Sequence, residues 1–467
     1  METASQAGEQ NISPWKTLRN LMIQEVPSYG NKIFYSLGFL SLTSFVIVSL
    51  SGLVMVFFGP NWWLTTRAGL IFRSIHLWAA QAFIFFVILH GIVVFLTSGF
   101  KGRRKLTWVL GIILFFLILF EAEFGYGLRG DFSSQWRTLQ GADLFNGSGL
   151  GIFINNLNYA QIYGIHIILI PFLIFAVLSL HYFLVRVMDI AKPYRSDAKY
   201  RMVPANHNIL FMRGFVLTAV IIALALAFPS PLIIPTTIKT VADSDPQLMA
   251  TTLLSEMNRT SGTATYLDNI DPYTYDTRSI YITDPYDQYA QIAGGNNLMT
   301  SFNQEPAGRQ NQEMSQALSY FSGGGVINTD PTQTNPVVPI VSSLVVMAKS
   351  GLYQNSLQGA PSNGLNGTYV ERFLSDTGVL EAKAEKLNMT TEQYGMVREE
   401  TGLLPPGAWW LAPIGFLDNT ILANDPNQDR DGAEILGLVF LFLLTFPYIP
   451  YLNRIPEKIG IDKLIWK

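Results

Sequence analysis

Four of the five histidines in this chain lie within two long uncharged stretches, at positions that could hold metal cofactors. His76 and His90 are fourteen residues apart, and His166 and His181 are fifteen residues apart. At about 100° and 1.5 Å per residue, each pair lies roughly on one face of a helix, about 21–23 Å apart along its axis. Two such helices present matched imidazoles at two depths, which is the geometry for two bis-histidine haems stacked across a membrane.

Two glycine pairs repeat this interval in neighbouring apolar stretches, Gly38 with Gly52 and Gly111 with Gly125. A residue without a side chain lets a helix come close to the ring of a flat cofactor, so these glycines favour cofactor binding. The alternative is that the histidines only hydrogen-bond between helices. Ionisable groups inside a membrane are costly and usually functional, which disfavours that alternative.

Membrane-spanning helices must position these residues, and the sequence predicts six of them. Of the 467 residues, 49% are hydrophobic and only 14% are charged, which excludes a small soluble enzyme and a disordered chain. The predicted spans are Ile33–Pro60, Ser74–Phe100, Leu106–Leu128, Tyr159–Val185, Gly214–Ile238 and Ile435–Tyr451. Three prolines interrupt the end of the fifth span, and the sixth span is short.

The distribution of Lys and Arg orients the chain, because short cytoplasmic loops collect positive charge. With the N-terminus inside, seventeen Lys and Arg residues lie in inner segments and four in the two short outer loops. No apolar signal-peptide core is found near the N-terminus, so cleavage is not expected. The predicted organisation is a cytoplasmic segment at 1–32, a four-helix di-haem core at 33–190, an inner loop and fifth span at 191–238, an extracytoplasmic insertion at 239–433, and a sixth span with a cytoplasmic tail at 434–467.

The polar insertion has a core of roughly 160 residues, which is far outside ordinary loop statistics, so we expect a small extracytoplasmic domain. Val337–Ala348 is apolar but too short to span a membrane, and residues 370–400 show the pattern of one or two amphipathic helices. Four glycosylation sequons lie in the predicted outer segments, at Asn146, Asn258, Asn366 and Asn388. They agree with an outer location and hint at an archaeal source.

Several short motifs surround the histidines and glycines: Arg73-Ser-Ile-His76-Leu-Trp, Ile88-Leu-His90, Leu96-Thr-Ser-Gly-Phe-Lys101, Leu106-Thr-Trp-Val, Gly125-Tyr126-Gly-Leu and His181-Tyr-Phe-Leu. They resemble cytochrome b of the prokaryotic Rieske/cytochrome b complexes, which oxidise quinol in respiration and photosynthesis. The resemblance covers about residues 30–240 well and 400–460 loosely. It implies an all-α integral membrane protein, with a six-helix cytochrome b-type bundle and a large extracytoplasmic insertion, located in the cell membrane.

The resemblance also implies the cofactor ligands. His76 and His166 would bind an outer low-potential haem b, and His90 and His181 an inner high-potential one. The fifteen-residue step in the second pair is similar to the chloroplast-type branch.

Arg73 matches a family arginine that pairs with a haem propionate, which suits the fixed fork of a guanidinium. The alternative is an interfacial residue whose side chain extends to the membrane surface. This chain has Val93 at the position of the inner arginine in the chloroplast-type pattern. The Lys101–Lys105 cluster therefore supplies the candidate partners for the inner propionates.

The family oxidises quinol in an outer pocket formed by the end of the third span, the loop after it and a Pro-Glu-Trp-Tyr motif before the sixth span. Tyr126 and Trp136 match, but the usual Leu-Pro-Trp stretch reads Leu128-Arg129-Gly130. The later motif reads Pro406-Gly407-Ala408-Trp409-Trp410. With Trp409 as the motif tryptophan, Ala408 replaces the glutamate that would accept a quinol proton.

Glu121 and Glu123, near the outer end of the third span, are candidates for the missing proton acceptor. Residues two apart point about 200° apart on a helix, so at most one of them can face the pocket. Alternatives are that they reach the interface or a neighbouring subunit, or that Glu399 and Glu400 accept the proton.

The chain has no cysteine, which excludes a thioether-linked extra haem and places any Cys-ligated iron–sulfur centre in a partner. The resemblance implies a Rieske iron–sulfur protein as that partner and a membrane quinol as substrate. It also implies a homodimeric complex and a c-type protein, another high-potential acceptor or a terminal oxidase downstream; nucleic acid is not an expected partner. His207, predicted in an inner loop, could serve an inner quinone site or could be a solvated histidine.

Three functions stay open from the sequence. The leading one is a di-haem quinol oxidoreductase subunit that acts with a Rieske protein. The second, motivated by Ala408, is a haem-bearing membrane anchor that conducts electrons for another catalytic subunit without quinol bifurcation. The third is a non-redox scaffold acting through its insertion, which the matched histidines disfavour.

Overall fold

The computed structural model describes residues 24–191, 200–266, 275–292, 298–359, 368–399 and 402–461. In this part of the chain six helices are long and apolar enough to cross a membrane, as the sequence predicted. These first to sixth spans are Ile33–Phe58, Arg67–Leu96, Gly102–Gly127, Tyr159–Met188, His207–Ala227 and Arg430–Tyr448. Large apolar side chains such as Phe57, Phe172 and Phe215 are exposed on them, as expected for lipid-facing surfaces.

The spans include short irregular segments. The first span begins with a 3-10 turn at Ile33–Ser36 before the α-helix Leu37–Phe58, and the third begins with a 3-10 turn at Gly102–Arg104 before Lys105–Gly127. The fourth consists of Tyr159–Gly164, a π-helical turn at Ile165–Leu169, and Ile170–Met188. The sixth is formed by the α-helix Gln428–Thr445, whose first two residues precede the span, and by a 3-10 turn at Phe446–Tyr448.

The fifth span differs from the predicted one at both ends. Its helix begins at His207, which is therefore a helical residue and not the loop residue that the sequence suggested. It ends at Ala227, before the three prolines at positions 229, 231 and 235. Proline lacks the backbone N–H that a helix needs, so the chain leaves the helix ahead of them.

The six spans form one bundle. The first and second spans pack against each other, the third packs against the fourth, the fifth lies against the first and second, and the sixth lies against the third. This arrangement leaves the second and fourth spans on either side of an internal space that the first and third spans close.

A helix that the sequence did not predict lies in the loop between the third and fourth spans, at Phe132–Gly147. This loop is at the end of the bundle that carries the insertion, which we call the outer end, and the opposite end is the inner end. Asp131 caps it, because its carboxylate accepts a 3.0 Å hydrogen bond from the Ser134 backbone N–H while the Ser134 hydroxyl accepts one from the Asp131 N–H. Most of this outer helix is buried, since the insertion covers it.

The insertion folds as a helical domain around the helix Val337–Ser350, whose residues from Val337 to Ala348 are almost all buried. This explains the apolar stretch, which forms a domain core and not a membrane span. The pattern at 370–400 corresponds to two short helices. The helices of the domain are Ile238–Ser244, Pro246–Met257, Asp284–Ile292 after a π-helical turn at Ser279–Thr283, Leu298–Asn303, Ala307–Ser322, Val337–Ser350, Leu352–Gly359, Thr368–Asp376 and Val379–Lys386.

The insertion is fastened to the outer helix by polar contacts. Arg372 forms a 2.9 Å ion pair with Asp143, and the Trp136 indole donates a 3.0 Å hydrogen bond to the Met389 carbonyl. Trp136, which the sequence aligned with the quinol pocket, therefore lies in the core of the insertion.

The remaining elements are short. Two small antiparallel sheets pair Glu25–Pro27 with Met202–Pro204, and Arg398–Glu399 with Gly402–Pro406. Short helices and 3-10 turns complete the described chain at Ser28–Asn31, Pro60–Thr65, Leu150–Ile152, Gly395–Val397, Trp409–Leu411, Ala412–Asn419, Leu452–Arg454 and Ile455–Ile459.

Candidate cofactor cavity

A cavity of about 1800 Å³ runs through the bundle and is lined mainly by apolar side chains. The four histidines of the second and fourth spans and the four glycines of the first and third spans all line it. Pockets for one drug-sized ligand measure roughly 300–1,000 Å³, so this cavity has room for more than one large cofactor.

The outer histidines face each other across the cavity. The ring centroids of His76 and His166 are 6.2 Å apart, with their planes at 79°. Two metal–nitrogen bonds of about 2 Å each, with roughly 1 Å from each nitrogen to its ring centre, span about 6 Å. The separation therefore fits one iron between the two rings.

Hydrogen bonds at Nδ1 orient both outer rings. His76 Nδ1 lies 2.9 Å from the Val48 carbonyl oxygen and 3.2 Å from the Ser51 hydroxyl. His166 Nδ1 lies 3.1 Å from the carbonyl oxygen of Glu121 and 3.1 Å from its carboxylate. A ring that donates from Nδ1 keeps its Nε2 lone pair available for a metal.

Each of the four glycines faces one histidine ring. A Cβ atom would lie 3.1 Å from His76 Cε1 if built on Gly52, and 2.8 Å from His166 Cε1 if built on Gly125. The corresponding inner distances are 3.3 Å from Gly38 to His90 and 3.5 Å from Gly111 to His181. The shared fourteen-residue interval thus has a structural reason that the sequence did not reveal, because these glycines make room for the imidazoles themselves.

The π-helical turn Ile165–Leu169 includes His166. A π-turn adds a residue to a helix without continuing its regular rotation. The extra residue accommodates the fifteen-residue step between His166 and His181. Both of these histidines therefore line the same cavity as His76 and His90, which are fourteen residues apart. π-Turns often occur at functional positions.

Arg73 is buried at the outer end of the cavity and forms an ion pair with the fully buried carboxylate of Asp131. Arg129 also pairs with Asp131, at 2.9 Å. A protein carboxylate therefore engages the guanidinium that the sequence assigned to a haem propionate, and the propionate contact stays a prediction.

The altered motif before the sixth span is held by Gln81 of the second span, which the sequence reading missed. The Gln81 amide donates hydrogen bonds to the carbonyl oxygens of Pro406 and Gly407, at 2.9 and 3.1 Å, and its oxygen accepts a 2.7 Å bond from the Trp409 indole. The same amide lies 3.3 Å from the Tyr126 hydroxyl. Gln81 is the only carboxamide side chain of this span, which is the signal that could have identified it.

Tyr126 and Trp410 line the cavity at its outer end, with their ring centroids 5.9 Å apart. The guanidinium of Arg137 lies 4.4 Å from the centre of the Tyr126 ring, a cation–π distance. Trp409 bonds to Gln81 but is not among the residues that line the cavity, and Ala408 is completely buried.

Glu121 and Glu123 point in different directions, as their spacing predicted. Glu121 lines the cavity and contacts His166. Glu123 lies against the outer helix, where its Oε1 is 3.1 Å from the position of a Cβ on Gly141. The side chains of Glu399 and Glu400 lie outside the part of the chain that the structure describes.

The inner end of the cavity is more polar. Arg104 donates to the carbonyl oxygens of Asp189 and Met188, at 2.9 and 2.5 Å, and lines the cavity. His207 and Arg213 also line it, and Arg213 donates a 2.5 Å hydrogen bond to the Ser36 hydroxyl. Lys101, another candidate partner for a propionate, is paired with Glu457.

Comparison with known proteins defines the class. Residues 81–236 match the family profile described as cytochrome b (N-terminal)/b6/petB. Cytochrome b6 of Heliobacterium modesticaldum is 33% identical over 190 residues, which cover 36% of this chain and 89% of that protein. This chain therefore belongs to the cytochrome b/b6 family. It is a multi-pass membrane protein, and b-type haem and electron transport follow from the family.

Other relatives agree. Cytochrome b6 of Heliomicrobium gestii is 32% identical, and that of Acaryochloris marina 29%, again over 36% of this chain and 89% and 88% of those proteins. Among solved structures, a chain of a hyperthermophilic respiratory Complex III is similar at 14% identity and a TM-score of 0.38, covering 74% of this chain and 95% of that chain. A likeness at that score is too weak to support a conclusion.

Proposed function

We propose that this chain is the di-haem cytochrome b subunit of a complex that oxidises membrane quinol and transfers electrons across the membrane. The observation that carries the proposal is the pair of outer rings, His76 and His166, set 6.2 Å apart with Nδ1 engaged and a glycine facing each ring. Haem b, when bound, carries one electron at a time.

His76 and His166 would hold the outer haem, and His90 and His181 the inner one. All four line the same cavity, and each ring has space because a glycine stands opposite. Arg73 lines the outer end of the cavity, and Arg104 and Arg213 line its inner end. Their guanidinium groups would attract the carboxylates of such cofactors, Arg73 while it also pairs with Asp131.

The outer quinol pocket would lie where Tyr126, Trp410 and Arg129 line the cavity. Gln81 holds the altered motif at this end of the cavity through hydrogen bonds to the Pro406 and Gly407 carbonyl oxygens. The proton-acceptor role predicted for Glu121 or Glu123 stays a prediction. Of the two, only Glu121 lines the cavity, and its Oε2 is buried without a hydrogen-bond partner among the described residues.

An inner quinone site would use His207 and Arg213, which line the inner end of the cavity. We propose the orientation given by the Lys and Arg distribution, with both termini cytoplasmic and the insertion outside. A Rieske protein, a homodimeric arrangement and a high-potential acceptor complete the proposed complex, since the chain has no cysteine for an iron–sulfur centre of its own.

A second candidate is a haem-bearing membrane anchor that conducts electrons for another subunit. Ala408 favours it, because this fully buried residue supplies no carboxylate where the family motif has one. In that case the outer end of the cavity would bind haem without oxidising quinol.

Purification of the intact complex from native membranes tests these proposals. Two b-type haems per chain in dithionite-reduced spectra support the di-haem subunit, and the absence of b-type absorption would refute both candidates. An oxidant pulse in the presence of quinol separates them. Extra haem reduction that outer-site quinol analogues abolish supports quinol oxidation, whereas no such reduction supports the anchor.

A further inference from the structure

The contact between Glu121 and His166 distinguishes one histidine from the other three. A single residue of the third span offers two acceptors to His166 Nδ1, its backbone carbonyl and its carboxylate, each at 3.1 Å. The side chains are largely buried, with 21% of the Glu121 side chain and 16% of the His166 side chain exposed. Two acceptors at Nδ1 favour the tautomer with its proton there, which leaves the Nε2 lone pair available for a metal.

The opposite ring has only neutral partners. His76 Nδ1 contacts the Val48 carbonyl and the Ser51 hydroxyl. Among the described residues, His166 is the only one of the four histidines within ion-pair distance of a carboxylate. The two outer rings are therefore electronically unequal although they are geometrically paired.

A carboxylate on the distal nitrogen makes an imidazole a more basic ligand and fixes its orientation. In a cavity with mostly apolar walls, a negative charge at this distance is only weakly screened. It stabilises the oxidised, more positive state of a metal that the ring binds.

We propose that Glu121 is a positioning residue for His166, whose carboxylate holds the ring through Nδ1 and lowers the reduction potential of the outer haem. This inference rests on the proposed di-haem function. It is separate from the predicted proton-acceptor role of Glu121, because it concerns a potential that is measured without quinol.

The experiment is a redox titration of the full-length chain in its complex, with mediators and without quinol. Glu121→Gln keeps the size and an acceptor oxygen but removes the charge. One b-type component should then shift to higher potential, by about 59 mV for each tenfold change in the one-electron equilibrium constant, while the other component stays in place. Glu123→Gln is the matched control, because Glu123 lies on the same helix but faces the outer helix.

Ser51→Ala provides a second comparison, since it removes a neutral partner of His76 Nδ1. We expect a smaller shift than in Glu121→Gln. Haem content is measured in the same samples. Loss of one haem in Glu121→Gln but not in Glu123→Gln would support positioning of the ligand by Glu121.

Two outcomes would overturn the inference. One is an unchanged potential of both components in Glu121→Gln, whether or not quinol oxidation slows. The other is an equal shift, or equal haem loss, in Glu121→Gln and Glu123→Gln, because that would show a general effect of altering the third span. Failure of the underlying di-haem proposal would look different, since the unmodified protein would then lack two b-type components.

Discussion

The indole Nε1 of Trp409 donates a 2.7 Å hydrogen bond to the carboxamide oxygen of Gln81, joining residues 328 positions apart in the chain. The nitrogen of the same carboxamide donates to the carbonyl oxygens of Pro406 and Gly407. One side chain in the second span therefore satisfies three groups of the motif that covers the outer end of the cavity. Gln81 thereby holds the motif against the second span through side-chain hydrogen bonds.

Gln81→Leu should loosen this motif and slow quinol oxidation. Leucine leaves two carbonyl oxygens and an indole N–H without their partner, at a cost of roughly 1–3 kcal/mol for each group that stays buried. We expect faster proteolysis within residues 402–411 and a lower rate with saturating quinol. Limited proteolysis with mass spectrometry and a quinol oxidation assay measure the two effects.

Gln81→Glu serves as the comparison, because a carboxylate still accepts from the Trp409 indole but no longer donates to the two carbonyls. Its effect should lie between those of glutamine and leucine. Equal protection of residues 402–411 in Gln81→Leu and in the unmodified protein would show that the motif does not depend on Gln81.

Alanine at the four cavity glycines should disturb cofactor binding in a graded order. The new Cβ would lie 2.8 Å from the facing ring at Gly125, 3.1 Å at Gly52, 3.3 Å at Gly38 and 3.5 Å at Gly111. Contacts below 3.0 Å force a ring to move, at a typical overpacking cost of about 1–3 kcal/mol, whereas 3.5 Å is ordinary van der Waals contact. Haem retained per chain after purification should therefore fall most in Gly125→Ala and least in Gly111→Ala.

The second span offers a control for this series, since a Cβ on Gly91 would meet nothing within 4 Å. Gly91→Ala should retain the haem content of the unmodified protein. A loss in Gly91→Ala as large as that in Gly125→Ala would mean that helix stability, and not space beside the rings, controls haem retention.

The sequence predicted the six spans and the matched histidine levels, because helical periodicity and apolar length are local properties. It did not predict that each glycine faces an imidazole, since that depends on how the spans pack. Glu121 and Glu123 illustrate the difference between local properties and contacts between spans. Their opposite directions follow from the helix, but the contact of Glu121 with His166 depends on the neighbouring fourth span.

Elements outside the membrane were harder to predict. The outer helix Phe132–Gly147 is polar enough to be taken for a loop, although Asp131 and Ser134 form a capping box that marks its start. It is buried by an insertion whose residues are distant in sequence, as the 253-residue separation between Trp136 and Met389 illustrates. Trp136 was assigned to the quinol pocket from a local match that could not reveal this partner.

The insertion should be more stable in acid than in base. Burial raises the pKa of Glu371 to about 7, and burial, followed by the hydrogen bond and charge of Asp376, raises the pKa of Glu256 well above its usual range. Both groups bind a proton more tightly in the folded domain than in the unfolded chain. Their stabilisation is therefore complete below the ordinary carboxyl range and is lost as pH rises through 7 and beyond, by up to about 1.4 kcal/mol per pH unit for each proton released.

Hydrogen–deuterium exchange of the full chain at several pH values, corrected for the intrinsic exchange rate, measures this effect in the helices around Val337–Ser350. Glu256→Gln combined with Glu371→Gln should reduce the pH dependence, because a carboxamide cannot lose a proton. The exposed residue Glu381 supplies the control variant, Glu381→Gln. Protection that increases with pH would contradict the prediction.

The proposed orientation can be tested with single cysteines, because the natural chain contains none. Ser315 is exposed on a helix of the insertion, and Arg103 is exposed in the 3-10 turn that begins the third span, at its inner end. With the insertion outside, Ser315→Cys should react with a membrane-impermeant maleimide in intact cells. Arg103→Cys should react only after the membrane is permeabilised. Since both sites are exposed to solvent, a reversed labelling pattern would mean that the insertion and the Gln81 motif face the cytoplasm.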